Sequence, residues 1–287
     1  MNVEELETQF QKYVETLRKT NRVSIHVTTI SRSSVCPFQS FFYSRQSPIK
    51  PKSSRSFVVG TLAHLIFELI YEPRHLEALK MLKNDLLAIQ DLHEFKLKLT
   101  RDAIHKLSVD EPAKYEQFEE DKDAILTDVL KYTNAFLNYA KYAPIPYARE
   151  RFVQKGIVCG TIDRIDYIKQ KNEIIIIDYK TSRSKLNDDL LRQYFLQLGG
   201  YAYILKDSKL LKNKRLGVPR LVVLKQRSFQ IYPCFDYEHY IDDFEYLLTE
   251  YAKMLLEARY LKEINREPGS HCSYCLVREY CQKLKEE

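Results

Sequence analysis

Residues 173–182 read EIIIIDYKTS, and this run decides how the rest of the chain is arranged. The four isoleucines from Ile174 to Ile177 are β-branched and stiff, which suits a strand. With no polar residue between them, they suit a strand covered on both faces. The run closes in Asp178 and Lys180. Side chains two apart on a strand share a face, so this carboxylate and this ammonium lie together while Tyr179 points away. Charges at the end of a buried strand are costly unless something pairs with them. Upstream, residues 149–168 read RERFVQKGIVCGTIDRIDYI and alternate like strands, with Gly156 and Gly160 as turn or bulge points. The short connection KQKNE makes the two strands hairpin neighbours, which brings Asp163 to Asp178 and Lys180. Two carboxylates held close repel unless a cation joins them. A hard divalent ion such as Mg²⁺ or Mn²⁺ prefers oxygen ligands and would bridge them. A D-x-K by itself is common, and its plain alternative is a surface hairpin with ordinary ion pairs.

Outward from this centre, 187–206 reads as a helix and LGVPRLVVLKQRSFQIYPC (216–234) returns to strands. A long helix is expected over 236–264, then a short cysteine-bearing tail over 268–287. On the N-terminal side, Val3, Leu6, Phe10, Tyr13, Val14 and Leu17 recur at helical spacing, and GTLAHLIFELIY (60–71) is helical again. Residues 75–142 read as polar amphipathic helices with breaks near Pro112 and Pro144, an insert or cap with little that resembles chemistry. The order of helices, strands, helix, strands and helix predicts an α/β or α+β core with a helical addition.

The chain of 287 residues has 45% hydrophobic and 29% charged residues, a globular rather than disordered composition. No stretch approaches the roughly 20 apolar residues of a membrane span. The acidic, amphipathic start MNVEELETQF does not resemble a signal peptide, so an intracellular, cytoplasmic location is the expectation. The net charge of +6 is mild, but eight Lys/Arg and no acid fall within 16–67, and eight Lys/Arg with only Asp207 fall within 206–235. Two basic segments suit a polyanion partner, because Lys and Arg gain affinity by releasing phosphate counterions. An unevenly charged, solvated face is the plain alternative.

The ordered series GTIDRID, IIIIDYKTS and QLGGYAY resembles the PD-(D/E)xK nucleases of the RecB type. It is most similar to the iron–sulfur branch that holds the CRISPR-associated Cas4 nucleases, the nuclease domain of Dna2, AddB and exonuclease V. The resemblance implies a restriction-endonuclease-like α/β fold, a mixed central sheet flanked by helices. His64 in GTLAH matches the histidine that precedes the core, and Asp163, Asp178 and Lys180 match the core. Gln197 and Tyr201 match the helix motif, and Glu150 in ARERF matches an acid frequent at that point. The resemblance implies His64, Asp163 and Asp178 as metal ligands. It implies Asp163, Asp178, Lys180, Glu150, Gln197 and Tyr201 as the catalytic set. Each has a plainer alternative: a core histidine for His64, strand support for Glu150, a half-buried helix face for Gln197 and Tyr201. The functional reading has those last two touching DNA or propping Lys180. Glu68, one turn after His64, is expected as a structural ion-pair partner.

Cys272, Cys275 and Cys281 crowd within ten residues, as thiolates do around a soft metal, and Cys36 in CPFQSFFY is a plausible distant fourth. Spacing does not separate zinc from an iron–sulfur cluster. The resemblance implies a 4Fe–4S cluster on these four, which would clasp the N- and C-terminal regions. Cys159, in a strand, is expected as a packed thiol, and Cys234 falls outside the plan. The expected organisation is an N-terminal helical and basic region (1–59), the His motif plus helical insert (60–148), the nuclease core (149–265) and the cluster-binding tail (266–287). No Walker A motif occurs, so a stand-alone nuclease is expected rather than a fused helicase. The expected activity is Mg²⁺- or Mn²⁺-dependent DNA hydrolysis, by resemblance a 5′-to-3′ exonuclease on single strands, in CRISPR spacer acquisition or in repair. Phe38, Phe41, Phe42 and Tyr43 would stack bases in a strand-threading groove or, equally, pack around the cluster. The alternatives are a non-catalytic DNA-binding scaffold of the same fold and a zinc-stabilised nucleic-acid-binding protein.

Overall fold

The isoleucine run is the middle of a mixed sheet. The structure is a computed structural model that describes residues 3–20, 24–44, 54–110, 118–183, 185–226, 228–275 and 277–286. In chain order the elements begin with α1 (Val3–Thr20), β1 (Ile25–His26), α2 (Val27–Ser33), α3 (Pro37–Tyr43) and α4 (Arg55–Leu69). Then come α5 (Leu76–Lys83), α6 (Ile89–Asp110), α7 (Lys122–Tyr142), β2 (Ala148–Lys155), β3 (Val158–Ile168) and β4 (Glu173–Thr181). The chain continues with α8 (Asp188–Leu205), β5 (Arg215–Leu216), β6 (Arg220–Leu224), β7 (Phe229–Pro233), α9 (Tyr237–Glu257) and α10 (Arg278–Glu286). The break expected near Pro112 and the basic residues Arg22, Arg45, Lys50, Lys52 and Arg227 lie outside the described residues.

The strands order as β1-β3-β4-β6-β7, with β2 on β3 and β5 on β4. The hairpin neighbours β3 and β4 are antiparallel, whereas β4 and β6 are parallel, and α8 makes the crossover between them, as a parallel pair requires. Ile174 and Ile176 enter a core shared with α1, α2, α3, α8 and α9, and Ile175, Ile177 and Tyr179 enter a second core with α4, α6 and α7. The doubly covered strand expected from the sequence is therefore present.

The stretch 75–142 is more than a cap. Ile125, Val129, Tyr132, Phe136 and Tyr139 of α7 recur at helical spacing and are buried in the second core. The Phe136 ring meets that of Tyr179 at 5.4 Å, and Tyr139 meets Phe229 of β7 at 5.5 Å. Its polar outer face hid this packing role. The helix expected over 236–264 ends at Glu257, and a 3-10 turn at Leu261–Glu263 follows.

The base-stacking expectation for the CPFQSFFY aromatics is overturned for three of the four. Phe38, Phe41 and Phe42 are at most 1% exposed. Phe41 packs edge-on to Phe10 and Tyr13, and Phe42 stacks on Tyr280 at 5.7 Å. Their burial follows from hydrophobicity, at roughly 1.5–3 kcal/mol for each such side chain. These contacts, with Phe38 N–H donating to Asn265 C=O at 3.0 Å, join α3 to the C-terminal tail. Cys36 caps α3, and Cys275 and Cys281 pack against the same core as Cys36. Cys159 is buried in β3, as expected.

Under the second core lies a buried ion pair. Arg164 donates to both oxygens of Asp166, at 2.7 and 3.2 Å, to Tyr71 Oη at 2.6 Å and to Pro144 C=O at 2.6 Å. It also donates to Tyr179 Oη at 3.3 Å, and the rings of Tyr71 and Tyr139 lie beside it. No helix among the described residues is long and apolar enough to cross a membrane.

Candidate active site

The site opens where β3 and β4 part. Their Cα register ends at Arg164↔Ile177. Beyond it, the Asp163 side chain replaces a backbone partner: its Oδ2 accepts from the Tyr179 N–H at 2.7 Å. On the other side of β3, Arg149 and Arg151 of β2 pair with Arg164 and Ile162, so the register sets Glu150 across from Asp163. Glu150 has φ 43°, a left-handed backbone that is unusual for a residue with a side chain. Such strain, of order 1–3 kcal/mol, persists only where surrounding contacts fix it, and it concentrates at functional sites. From above, α4 packs on β4 and lowers His64 into the gap, its Nδ1 3.5 Å from Asp163 Oδ1.

Donor atoms of His64, Glu150 and Asp163 all lie within 4.8 Å of one another. Asp178, expected as a ligand, stands beside this group rather than inside it, because two neighbours hold its carboxylate. Gln197 Nε2 donates to Oδ1 at 2.8 Å, and Lys180 Nζ approaches Oδ2 at 2.7 Å. Asp178 and Lys180 share a face and Tyr179 points to the opposite core, as the strand period requires.

The charges act strongly on one another. Burial pushes the Asp178 carboxyl up to about 6, with Lys180 opposing and Asp163 adding. Desolvation by the surrounding protein, then Asp163, pushes Glu150 up to about 7. For Asp163, burial works upward, but His64, Lys180 and the Tyr179 N–H outweigh it and hold the carboxyl below its ordinary value. For His64, burial works against the cation, but Asp163 outweighs it and the pKa rises. Lys180 is likewise raised, the acids overcoming burial. The cluster therefore favours positive charge and is a candidate metal site.

Gln197 and Tyr201 share one face of α8, and the structure places both in the interior. Neither props Lys180. Gln197 fixes Asp178, and its Nε2 also lies 3.2 Å from Tyr201 Oη, which donates to Thr161 C=O at 2.7 Å. Gly160 permits this, since a Cβ there would stand 2.7 Å from the Tyr201 ring. Glu68 pairs with Lys106 at 2.9 Å, the structural role expected of it.

Sequence reasoning missed two features. Lys180 Nζ lies 5.1 Å from the centroid of the Tyr194 ring. Tyr194 is three residues before Gln197 on the same helix face, a signal that was available. Buried Asp128 of α7 gathers Arg55 at 2.7 Å, Lys131 at 3.3 Å and Arg183 just beyond β4. Nothing marked Asp128 among the many acids of its stretch.

A family model described as the PD-(D/E)XK nuclease superfamily matches residues 24–282, most of the chain. The chain belongs to the PD-(D/E)XK nuclease superfamily. Members of this superfamily are generally nucleases that use divalent metals such as Mg²⁺ or Mn²⁺. No curated protein matches the chain. A solved structure described as "Crystal structure of SSO0001" is 16% identical, with 96% of this chain and 94% of that chain covered and a TM-score of 0.35. The PD-(D/E)XK assignment agrees with the mixed sheet and with the acid–x–Lys at the parting of β3 and β4.

Proposed function

We propose that this chain is a divalent-metal-dependent DNA nuclease that acts on single strands with free ends. By resemblance it degrades them 5′ to 3′, in CRISPR spacer acquisition or DNA repair, with adaptation or repair proteins as partners. The observation that carries the reading is the gathering of Glu150, Asp163 and Asp178 beside His64 and Lys180, with donor atoms of His64, Glu150 and Asp163 within 4.8 Å of one another. The donor set fits a hard cation: one imidazole nitrogen and carboxylate oxygens. His64, Glu150 and Asp163 would hold the ion, and Asp178 beside them would join once its carboxylate gives up Lys180. When bound, a divalent ion polarises the phosphate and makes water more acidic. Lys180 orients the attacking water and offsets charge that grows on the phosphoryl oxygens. Gln197 and Tyr201 keep Asp178 in place.

The same reading gives Cys36, Cys272, Cys275 and Cys281 a 4Fe–4S cluster. None of the four is held in a disulfide among the described residues, and α3 is tied to the tail that carries the other three. Zinc is the alternative occupant, favoured by His271 Nε2 at 3.7 Å from Cys272 Sγ.

The test is cleavage of end-labelled single- and double-stranded DNA with Mg²⁺ or Mn²⁺ against EDTA. The wild type should cut with metal only, and Asp178→Asn should lose cleavage while keeping DNA binding. Cleavage by Asp178→Asn at the wild-type rate, or in EDTA, would contradict the reading. A brown sample absorbing near roughly 400 nm marks the iron–sulfur occupant, and a colourless zinc protein refutes it.

A further inference from the structure

Asp128 of α7 is buried, and three cations meet its one carboxylate. Arg55 Nη2 donates to Oδ2 at 2.7 Å, Lys131 Nζ donates to Oδ1 at 3.3 Å, and Arg183 also donates to Oδ2. Burial works against the carboxylate charge, but Arg55, Lys131 and Arg183 outweigh it and hold Asp128 below its ordinary value. Among the described residues no second carboxylate lies within ion-pair distance of these three cations. One negative charge therefore serves three positive ones. The Arg164–Asp166 pair shows that a single cation is enough for a buried carboxylate, so the group carries a surplus.

The surplus faces outward. The Arg183 and Lys131 side chains are 58% and 40% exposed, against 1% for Arg164. Arg55 Nε is buried without a hydrogen-bond partner, so one of its donors is left unused. Chain and packing bring this group to the metal centre. Arg183 follows Lys180 by three residues, a span of at most roughly 11 Å. Arg55 opens α4, the helix that lowers His64 into the site. That helix lies on the end of β4: a Cβ on Gly60 would stand 3.7 Å from Thr181 Oγ1. Gly60 is one turn before His64, and Thr181 comes directly after Lys180.

The geometry points to Arg183, Lys131 and Arg55 as a phosphate-binding subsite that holds an internal phosphodiester of a single strand beside the metal centre, an inference that rests on the nuclease reading above. The guanidinium fork matches the paired oxygens of a phosphate, and the ammonium adds a point charge. Asp128 keeps three like charges from driving one another apart and so fixes the direction of their donors.

The test compares the full-length wild type with Arg183→Gln, with Arg183→Gln combined with Lys131→Gln, and with Arg215→Gln. Arg215 is the control: it is exposed and pairs with Glu173 at the far end of β4. Binding of labelled single-stranded oligonucleotides with 5′-hydroxyl or 5′-phosphate ends is followed by fluorescence anisotropy in EDTA at several salt concentrations. Cleavage with Mn²⁺ is then measured separately. Arg183→Gln should raise Kd about tenfold, as expected for lost charge-assisted hydrogen bonds. Its log–log salt slope should shrink by about 0.7, one phosphate contact on a single strand, and that of the double variant by about twice as much. KM should follow Kd, with a smaller change in kcat. A folded Arg183→Gln with wild-type Kd and salt slope would overturn the inference, even if it melted lower. So would an equal loss in Arg215→Gln, which would mark net charge alone, or a loss confined to 5′-phosphorylated strands. If Arg183→Gln does not fold, Lys131→Gln decides by the same two quantities. A wild type that binds the strand but does not cleave it with Mn²⁺ refutes the nuclease reading and leaves the binding comparison intact.

Discussion

Asp166 and Asp163 sit three residues apart on β3 and are treated in opposite ways. Asp166 has both oxygens bound by Arg164, and the arginine's remaining donors reach Tyr71 and the Pro144 carbonyl. That pair is closed: each charge has its partner. Asp163 meets His64 at 3.5 Å and one backbone N–H, and it faces Glu150 and Asp178, both acids with raised pKa values. A closed buried pair holds the fold in one arrangement. An open cluster of like charges weakens the fold and favours a cation. The same strand therefore carries a brace on one side and a site on the other.

The sharpest way to break this comparison is to remove the brace. Asp166→Ala leaves Arg164 buried without its carboxylate and should cost about 3–5 kcal/mol of unfolding free energy in urea titration. The kcat of the folded fraction should stay near wild type. A variant as stable as wild type would mean that the pair does not brace the sheet.

A smaller effect is expected one step behind the site. Gln197→Ala removes the donor that orients Asp178, and it should lower Mn²⁺ affinity or kcat by about 10–100-fold, as for other residues that support ligands. Unchanged affinity and kcat would show that Lys180 alone positions the carboxylate.

The centre of this fold was legible in the sequence, for physical reasons. Four β-branched residues with charges two apart at their end leave few arrangements open, and the face-sharing of Asp178 and Lys180 follows from the strand period alone. Glu150 was legible only through resemblance, because its position depends on the β2/β3 register and on a left-handed backbone that no composition signals. For Gln197 and Tyr201 the helix was legible but the depth was not. Helix spacing put them on one face but not at the depth at which that face meets β4. The helical stretch 75–142 was undervalued because its polar surface hides an apolar stripe against the sheet. The aromatics of CPFQSFFY were left open between stacking on bases and packing inside, and hydrophobicity puts Phe38, Phe41 and Phe42 inside. Cysteine spacing left zinc and iron–sulfur open, since both take four thiolates.

The central claim is that Glu150, Asp163 and Asp178 form an open acid cluster that binds a divalent ion with His64. Asp178 near 6 and Glu150 near 7 both lie above ordinary carboxyl values in the folded protein. Without metal, their contribution to stability is therefore fully present in acid and fades as pH rises through about 4 to 7. Bound metal must displace those protons. The decisive measurement is calorimetric titration of Mn²⁺ into EDTA-stripped protein between pH 5.5 and 8.5, in buffers of different ionisation enthalpy. Affinity should rise with pH until about 7 and then level off, with proton release that fades above that point and a large loss of affinity in Asp163→Asn. Binding that releases no protons at pH 6 and persists unchanged in Asp163→Asn would contradict the account.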